Sequence, residues 1–331
     1  MKRKMLFGSS AQGWAATSPL CYTLQRYAKY CHFGYTKLHK IFDHTDWHKS
    51  IPNKKVRDLQ EIYKQVASGA WEQSMDARSL HAMNTKEDFA PLKDLPLKHL
   101  FNISHGPVTI KKYIDYWTTL HDHIVPQGYK SIADSNLNPL ARSPEFRTKF
   151  VKALTDTFDV KVLCITRDPI RRAWGRMMRD LDDITNPDRV HPDFLDYNVP
   201  RLYVRNPAKG HQFRSDLFGE ENCHTVVMEE LWEGDGSEKT RLEEFLDHPI
   251  PKLWHNCYSP DTGHLIQYDE RVPCQHRGQN IRELTPELYM EIRQLPHVDL
   301  IYQQWIDKFG KLPLHWGEPI DYYKNASIVY G

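Results

Sequence analysis

The stretch VKVLCITRDPIRRAWGRMMRD, residues 160–180, decides the fold. Val160 to Ile165 is a short apolar, β-branched run of the kind buried on both faces in a parallel sheet. It stops at Arg167-Asp168-Pro169, where Asp168 suits a helix cap and Pro169 the first helical turn. Arg167 is thereby set at the carboxyl end of a strand and against a helix N-terminus, where open α/β sheets bind phosphorylated ligands. A guanidinium there can grip a phosphate through two parallel charge-assisted hydrogen bonds. The plainer alternative makes Arg167 a surface-loop residue, and Arg171, Arg172, Arg176 and Arg179 a solvated helix face.

Outward from that unit, strands alternate with helices. Lys4 to Gly8 reads as a first strand, Ser9 to Gly13 as a turn of small residues, Thr17 to Tyr27 as a helix and Tyr30 to Gly34 as a second strand. Lys49 to Leu100 turns helical and charged, clearest over Lys54 to Ala70, and Asn102 to Gly106 reads as a turn. Thr109 to His123 has apolar and aromatic residues at helical spacing, Lys130 to Ala133 is a short strand, and Ser143 to Phe158 is a capped amphipathic helix. A helix closes the irregular stretch Pro192 to Gly219, His224 to Met228 is a last strand, and Arg241 to Leu246 is helical. Trp254 to Asn280 reads as a long loop and Thr285 to Gln304 as closing helix. The pattern predicts an α/β fold with a mainly parallel central sheet flanked by helices, P-loop-like. It is read as a single domain, 1–331, with a mostly helical insertion at about 49–100.

Lys and Arg total 44 against 43 Asp and Glu, a balance that disfavours a general nucleic-acid or membrane-surface binder and makes any anion site local. No apolar run approaches the roughly 20 residues of a membrane span. The apolar stretch at the start, Met5 to Phe7, is too short for a signal peptide. Cytoplasm is therefore the expected compartment. The six cysteines form no CxxC pair and no zinc-like cluster, so no metal is expected. Cys31 and Cys164 read as small core residues, and a Cys257–Cys274 bridge remains open.

A second candidate anion site is the loop Gly8-Ser9-Ser10-Ala11-Gln12-Gly13 leading to Thr17-Ser18. A strand, a glycine-bounded loop and a helix N-terminus together form a nest of backbone N–H groups. The glycine spacing is that of a Walker loop, but Trp14 and Ala15 stand where Lys-Ser/Thr belongs, which disfavours an ordinary ATP or GTP hydrolase. Ser9, Ser10, Thr17 and Ser18 remain as hydroxyl donors; the alternative is a plain β–α turn with capping hydroxyls.

Taken together, the two segments resemble the sulfotransferases that use 3′-phosphoadenosine 5′-phosphosulfate (PAPS), nearest the heparan-type and bacterial carbohydrate members. Arg167-Asp168-Pro169-Ile170-Arg171-Arg172-Ala173-Trp174-Gly175 matches that family's 3′-phosphate segment in register, with Gly175 in place of its serine. The resemblance implies Arg167 as a 3′-phosphate ligand, with Arg176 positioned to compensate at Gly175. Lys37-Leu38-His39-Lys40-Ile41-Phe42-Asp43 lines up with the family's K-E-P-H-F-F-D stretch, with Leu38 at the catalytic Glu position. Ala133-Asp134-Ser135-Asn136 resembles the substrate-facing loop, which implies acceptor contacts at Asp134, Ser135 and Asn136. Val226 to Leu231 resembles the late strand with its Glu-Asp-Leu, and Cys274-Gln275-His276-Arg277-Gly278 the late basic-Gly loop, implying Arg277 and Gly278 at the donor nucleotide. The first loop departs most, for it has no lysine. Either Gly13 is the family glycine, or Ala16 takes that place with Thr17-Ser18 as the hydroxyl pair, and the second register is preferred.

Sulfuryl transfer needs in-line positioning, a base for the acceptor hydroxyl and a cation or N–H array for the leaving phosphate. His39 is the first candidate base, with His32 at the end of strand two as runner-up; Lys37 is the candidate for the missing loop lysine, and Asp43 for orienting base or acceptor. Each has a plain alternative as a surface or core side chain, the more so because the chain has 18 histidines. Trp47, Tyr113, Trp117, His121, His123 and Phe194 to Tyr203 are candidate cleft residues, though Tyr113 and Trp117 fit core positions better. Arg205-Asn206-Pro207 repeats the Arg-Asn-Pro letters without a strand before it and reads as coincidence. The expected activity is transfer of a sulfuryl group from PAPS to a hydroxyl of a small molecule or carbohydrate, leaving adenosine 3′,5′-bisphosphate. The rivals are a diverged nucleotide or sugar kinase and a non-catalytic nucleotide- or glycan-binding protein.

Overall fold

The structure is a computed structural model that describes residues 2–8, 17–34, 63–69, 90–105, 108–135, 138–174, 206–253, 255–258, 265–268 and 284–319. At its centre lie five strands: β1 (Arg3–Phe7), β2 (Cys31–His32), β3 (Ser131–Asp134), β4 (Phe158–Thr166) and β5 (Cys223–Val227). They line up in the order β2-β3-β1-β4-β5, and every pairing is parallel. This is an α/β fold, and its parallel sheet puts all five carboxyl ends on one edge. The connection from β3 to β4 crosses β1, so the chain switches sides around its first strand, the kind of place where open α/β sheets form a crevice.

Helices cover both faces. Phe7, Val160, Val162 and Cys164 point to α3 (Ile110–Ile124) and α4 (Pro144–Thr157); α1 (Thr17–Tyr22) and α2 (Leu97–Ser104) precede them in the sequence. The opposite face, carrying Leu6, Ala133, Leu163, Ile165 and Val226, packs on α1. The alternation has period two, as a strand requires, and both sets are apolar because both faces are buried. Phe7 is fully buried between Phe150 at 5.9 Å and Phe218 at 6.0 Å. Burying each such side chain contributes about 1.5–3 kcal/mol. Farther along come α5 (Pro207–Phe218), α6 (Met228–Glu233) and α7 (Ser237–Leu246), then a hairpin and the last pair, α8 (Pro286–Arg293) and α9 (Pro296–Phe309).

Several local expectations are corrected. The stretch 254–280 is not all loop, because β6 (His255–Tyr258) and β7 (Leu265–Tyr268) pair antiparallel within it. The turn expected over Asn102 to Gly106 is instead helical to Ser104, where Ile103 and Leu100 give α2 an apolar face for α3. The single helix expected over Thr285 to Gln304 is two, broken before Pro296, which occupies the first turn of α9 because it cannot donate within a helix. The second strand shrinks from Tyr30–Gly34 to Cys31–His32. There the buried Gln25 side chain accepts from Phe33 N at 3.1 Å, and His32 Nδ1 accepts from Gly34 N at 2.9 Å. The helix before it turns π-helical over Thr23–Tyr27. Asn206 and Pro207, whose letters looked coincidental, cap α5: the Asn206 side chain accepts from Lys209 N at 3.0 Å. Cys21, Cys31, Cys164 and Cys223 are buried free thiols, whereas Cys274 lies outside the described residues.

Candidate functional site

The carboxyl edge gathers the ends of β1, β3, β4 and β5. β1 gives way to Gly8, whose φ of 80° is one that residues with a Cβ rarely adopt. Gly8 N donates to Asp134 O at 2.7 Å, tying the β1 turn to the end of β3. Gly8 O accepts the Cys164 thiol at 3.2 Å, tying it to β4. Phe7 pairs with Val162, so β4 runs four residues past that point to Thr166 before the Arg167 turn. The two turns singled out from the sequence therefore follow adjacent strands on one edge.

The Arg167 turn is built around two buried carboxylates. Asp168 is fully buried and caps the helical turn at residues 169–174, accepting from Arg171 N at 2.9 Å. Its other oxygen accepts from Tyr289 Oη at 2.8 Å, Tyr302 Oη at 2.8 Å and Gly317 N at 3.3 Å. Glu229, also fully buried, accepts from Asp168 N at 2.9 Å and from Trp316 Nε1 at 3.1 Å. Burial pushes the Glu229 carboxyl above the usual carboxylate range, and the positive Arg167 beside it works in the opposite direction. Burial, then the Asp168 charge, pushes both tyrosines up, which keeps their hydroxyls as donors. Arg171, which the plainer alternative put on a solvated face, is 4% exposed and donates to His315 O at 2.7 Å and Glu318 O at 2.5 Å. Arg172 is 5% exposed, so neither arginine belongs to a solvated helix face. The turn is thus fastened to the C-terminal helices, and Arg167, half-buried, lies beside Glu229 at its start.

On the β3 side, Asp134 is 1% exposed and accepts from Tyr113 Oη at 2.6 Å. Ser135 beside it is fully buried. Tyr113 and Trp117 are fully buried core residues on α3. His32 ends β2 fully buried, edge-on to Tyr129 at 5.2 Å. Because its Nδ1 accepts from Gly34 N, the neutral ring carries its proton on Nε2. Thr17 and Ser18 open α1. Ser9, Ser10, Gly13, Lys37, His39, Asp43, Trp47, Asn136, Gly175, Arg176, Phe194 to Tyr203, Arg277 and Gly278 lie outside the described residues. Among the described residues no group of three or more His, Cys, Asp or Glu is arranged to hold a metal ion, and no helix is long and apolar enough to cross a membrane.

The sequence marked Asp168 as a cap but not as the acceptor for two phenols more than a hundred residues away. No local signal announced that; the nearest was the pair of tyrosines in the closing helical pattern.

No family model matches the chain, and no curated protein matches it. Solved structures similar to it include a sulfotransferase from Alicyclobacillus acidocaldarius, at 12% identity and TM-score 0.43, over 95% of this chain and 98% of that one. A sulfotransferase domain from the curacin biosynthetic pathway aligns at 16% identity and TM-score 0.37, over 75% of each chain. Sulfotransferase STF9 from Mycobacterium avium aligns at 13% identity and TM-score 0.37, over 94% of this chain and 78% of that one.

Proposed function

We propose that this chain is a sulfotransferase that moves a sulfuryl group from PAPS to a hydroxyl of a small molecule or carbohydrate, releasing adenosine 3′,5′-bisphosphate. One observation carries the reading: the Gly8 turn and the Arg167 turn follow neighbouring parallel strands on the same sheet edge. A donor with phosphate groups at two positions suits two such turns. Arg167 is assigned to the 3′-phosphate, with Gly175 and Arg176 further along the sequence. Ser9, Ser10, Gly13, Thr17 and Ser18 are assigned to the 5′-phosphosulfate, and Arg277 and Gly278 to the loop over the nucleotide.

In the transfer, the acceptor oxygen bonds to sulfur as the bond from sulfur to the bridging phosphate oxygen breaks. The acceptor proton passes to the base, and negative charge builds on the departing phosphate. His39 is the assigned base, since the Nδ1 of His32 is already engaged by a backbone N–H. Lys37 is assigned to the leaving phosphate, Asp43 to orienting the base, and Asp134, Ser135 and Asn136 to the acceptor side.

The test is titration of the full chain with adenosine 3′,5′-bisphosphate, followed by a radiolabelled-PAPS acceptor screen. Arg167→Ala is expected to weaken bisphosphate binding by roughly 10- to 150-fold, because a hydrogen bond to a charged group is worth about 1.5–3 kcal/mol. Equal affinity in a folded variant refutes the assignment. Preference of the wild type for ATP-Mg²⁺ replaces the reading with a kinase.

A further inference from the structure

The face of the sheet covered by α3, α4 and α5 holds a cation that no carboxylate among the described residues neutralises. Arg214, in the middle of α5, is 6% exposed. Among the described residues its one hydrogen bond runs from Nη2 to Thr225 Oγ1, at 3.3 Å. No carboxylate lies within ion-pair distance of it among the described residues. An arginine has five N–H donors, and leaving a buried charge unpaired is strongly unfavourable.

The surroundings are arranged for this side chain. Helical side chains lean toward the helix N-terminus, and Arg214 lies back over Gly210, one turn earlier. A Cβ added at Gly210 would stand 3.2 Å from Arg214 Nη1. Glycine inside a helix costs about 1 kcal/mol relative to alanine, and here its missing side chain makes room for the guanidinium. Thr225 is oriented by a relay. Glu220 accepts from His211 Nε2 at 2.9 Å, so His211 Nδ1, 2.9 Å from Thr225 Oγ1, accepts the threonine proton. The threonine oxygen then turns its lone pairs to Arg214. Burial lowers the His211 pKa, which keeps the ring neutral as this relay requires.

The direction of reach is toward the carboxyl edge. Ala208 near the start of α5 packs with Ile170 and Val227, just past β4 and at the end of β5, whereas Phe218 at its other end packs on Phe7, which is level with Val162 and with Cys223 at the start of β5. Thr225 pairs with Cys164 across the β4–β5 ladder, and the Cys164 thiol donates to Gly8 O at 3.2 Å. With neighbouring strands about 5 Å apart, Thr225 stands two strand spacings, about 10 Å, from the β1 turn, with Cys164 on β4 between them.

We infer that Arg214 is an oxyanion-binding residue on the α5 side of the sheet, beside the end of β1, and that it supplies the cation missing from the first loop. Its ligand is a phosphate or sulfate oxygen; that this oxygen belongs to PAPS rests on the function proposed above, whereas the anion site itself does not.

The test compares wild type, Arg214→Met and Gly210→Ala by calorimetric titration and thermal melting, with pyrophosphate and with adenosine 3′,5′-bisphosphate. The expected result is that pyrophosphate raises the melting temperature of the wild type, as a ligand of the native state must. Its affinity falls roughly 10- to 150-fold in Arg214→Met. Gly210→Ala, which crowds the guanidinium while favouring the helix, weakens anion binding without lowering the ligand-free melting temperature. If Arg214→Met does not fold, Gly210→Ala decides. Equal affinity of both anions for the wild type and every folded variant overturns the inference and leaves the donor assignment standing. Arg214-dependent pyrophosphate binding by a wild type that ignores adenosine bisphosphate supports the inference and sinks the donor assignment.

Discussion

Removing the Asp168 carboxylate should unfasten the β4 turn from the end of the chain. In Asp168→Ala three donors lose their acceptor: Arg171 N, Tyr289 Oη and Tyr302 Oη, all within 2.9 Å. Gly317 N keeps its bond to Tyr289 Oη at 2.9 Å and adds little. Each orphaned buried donor costs about 1–3 kcal/mol. The two phenols stand 3.3 Å apart and can partly satisfy each other, which lowers the sum. The expected loss is about 3–5 kcal/mol, a large share of the roughly 5–15 kcal/mol that holds a folded protein together. With a denaturant slope of about 3 kcal/mol/M, the urea midpoint falls by about 1–2 M. Asp168→Asn should lose less, because its carbonyl still caps Arg171 N while the phenols turn to accept from its amide. Unfolding followed by tryptophan emission is suited to this, since Trp305 and Trp316 sit in the same cluster as Tyr302. A loss under about 1 kcal/mol for Asp168→Ala, or Asn as damaging as Ala, would show that the carboxylate does not fasten these helices.

Two further perturbations probe the edge and its flank. Tyr113→Phe removes the 2.6 Å bond to buried Asp134 and should cost about 1.5–3 kcal/mol in chemical denaturation; a change below about 0.5 kcal/mol would mean that the phenol does not stabilise the carboxylate. His99, 9% exposed and stacked on Tyr116, has its pKa lowered to about 4, chiefly by burial. The unfolded chain binds this proton more readily, so stability is lost as pH falls from 6.5 toward 4 and not above that window. Between pH 7.5 and 4.5 the wild type should lose about 2.5 kcal/mol more than His99→Phe; equal losses would clear His99 of the effect.

The parts of the fold legible in the sequence were those set by local chemistry. Val160 to Ile165 could be read as a doubly buried strand because both of its faces are apolar, and Asp168-Pro169 as a helix start because cap and first-turn preferences act within four residues. Strand order was less accessible: nothing near Cys31 or Ser131 records that β3 slots between β2 and β1. Polar closure across the chain was invisible for the same reason. A solvated helix face stayed open as an alternative for Arg171, because the carbonyls of His315 and Glu318 that meet it lie more than a hundred residues away. The β6–β7 hairpin escaped because each strand has only four residues, too few for a periodicity to emerge.

The fastening at Asp168 also has a consequence in time. As the chain leaves the ribosome, the β4 turn is made long before Tyr302 and Trp316 exist to complete its ring of donors. Arg167 is therefore held by a half-finished bracket until α8 and α9 arrive, and the carboxyl edge of the sheet is among the final parts of the described fold to set. A nascent chain stalled after β5 would carry the arginine but not the scaffold that aims it.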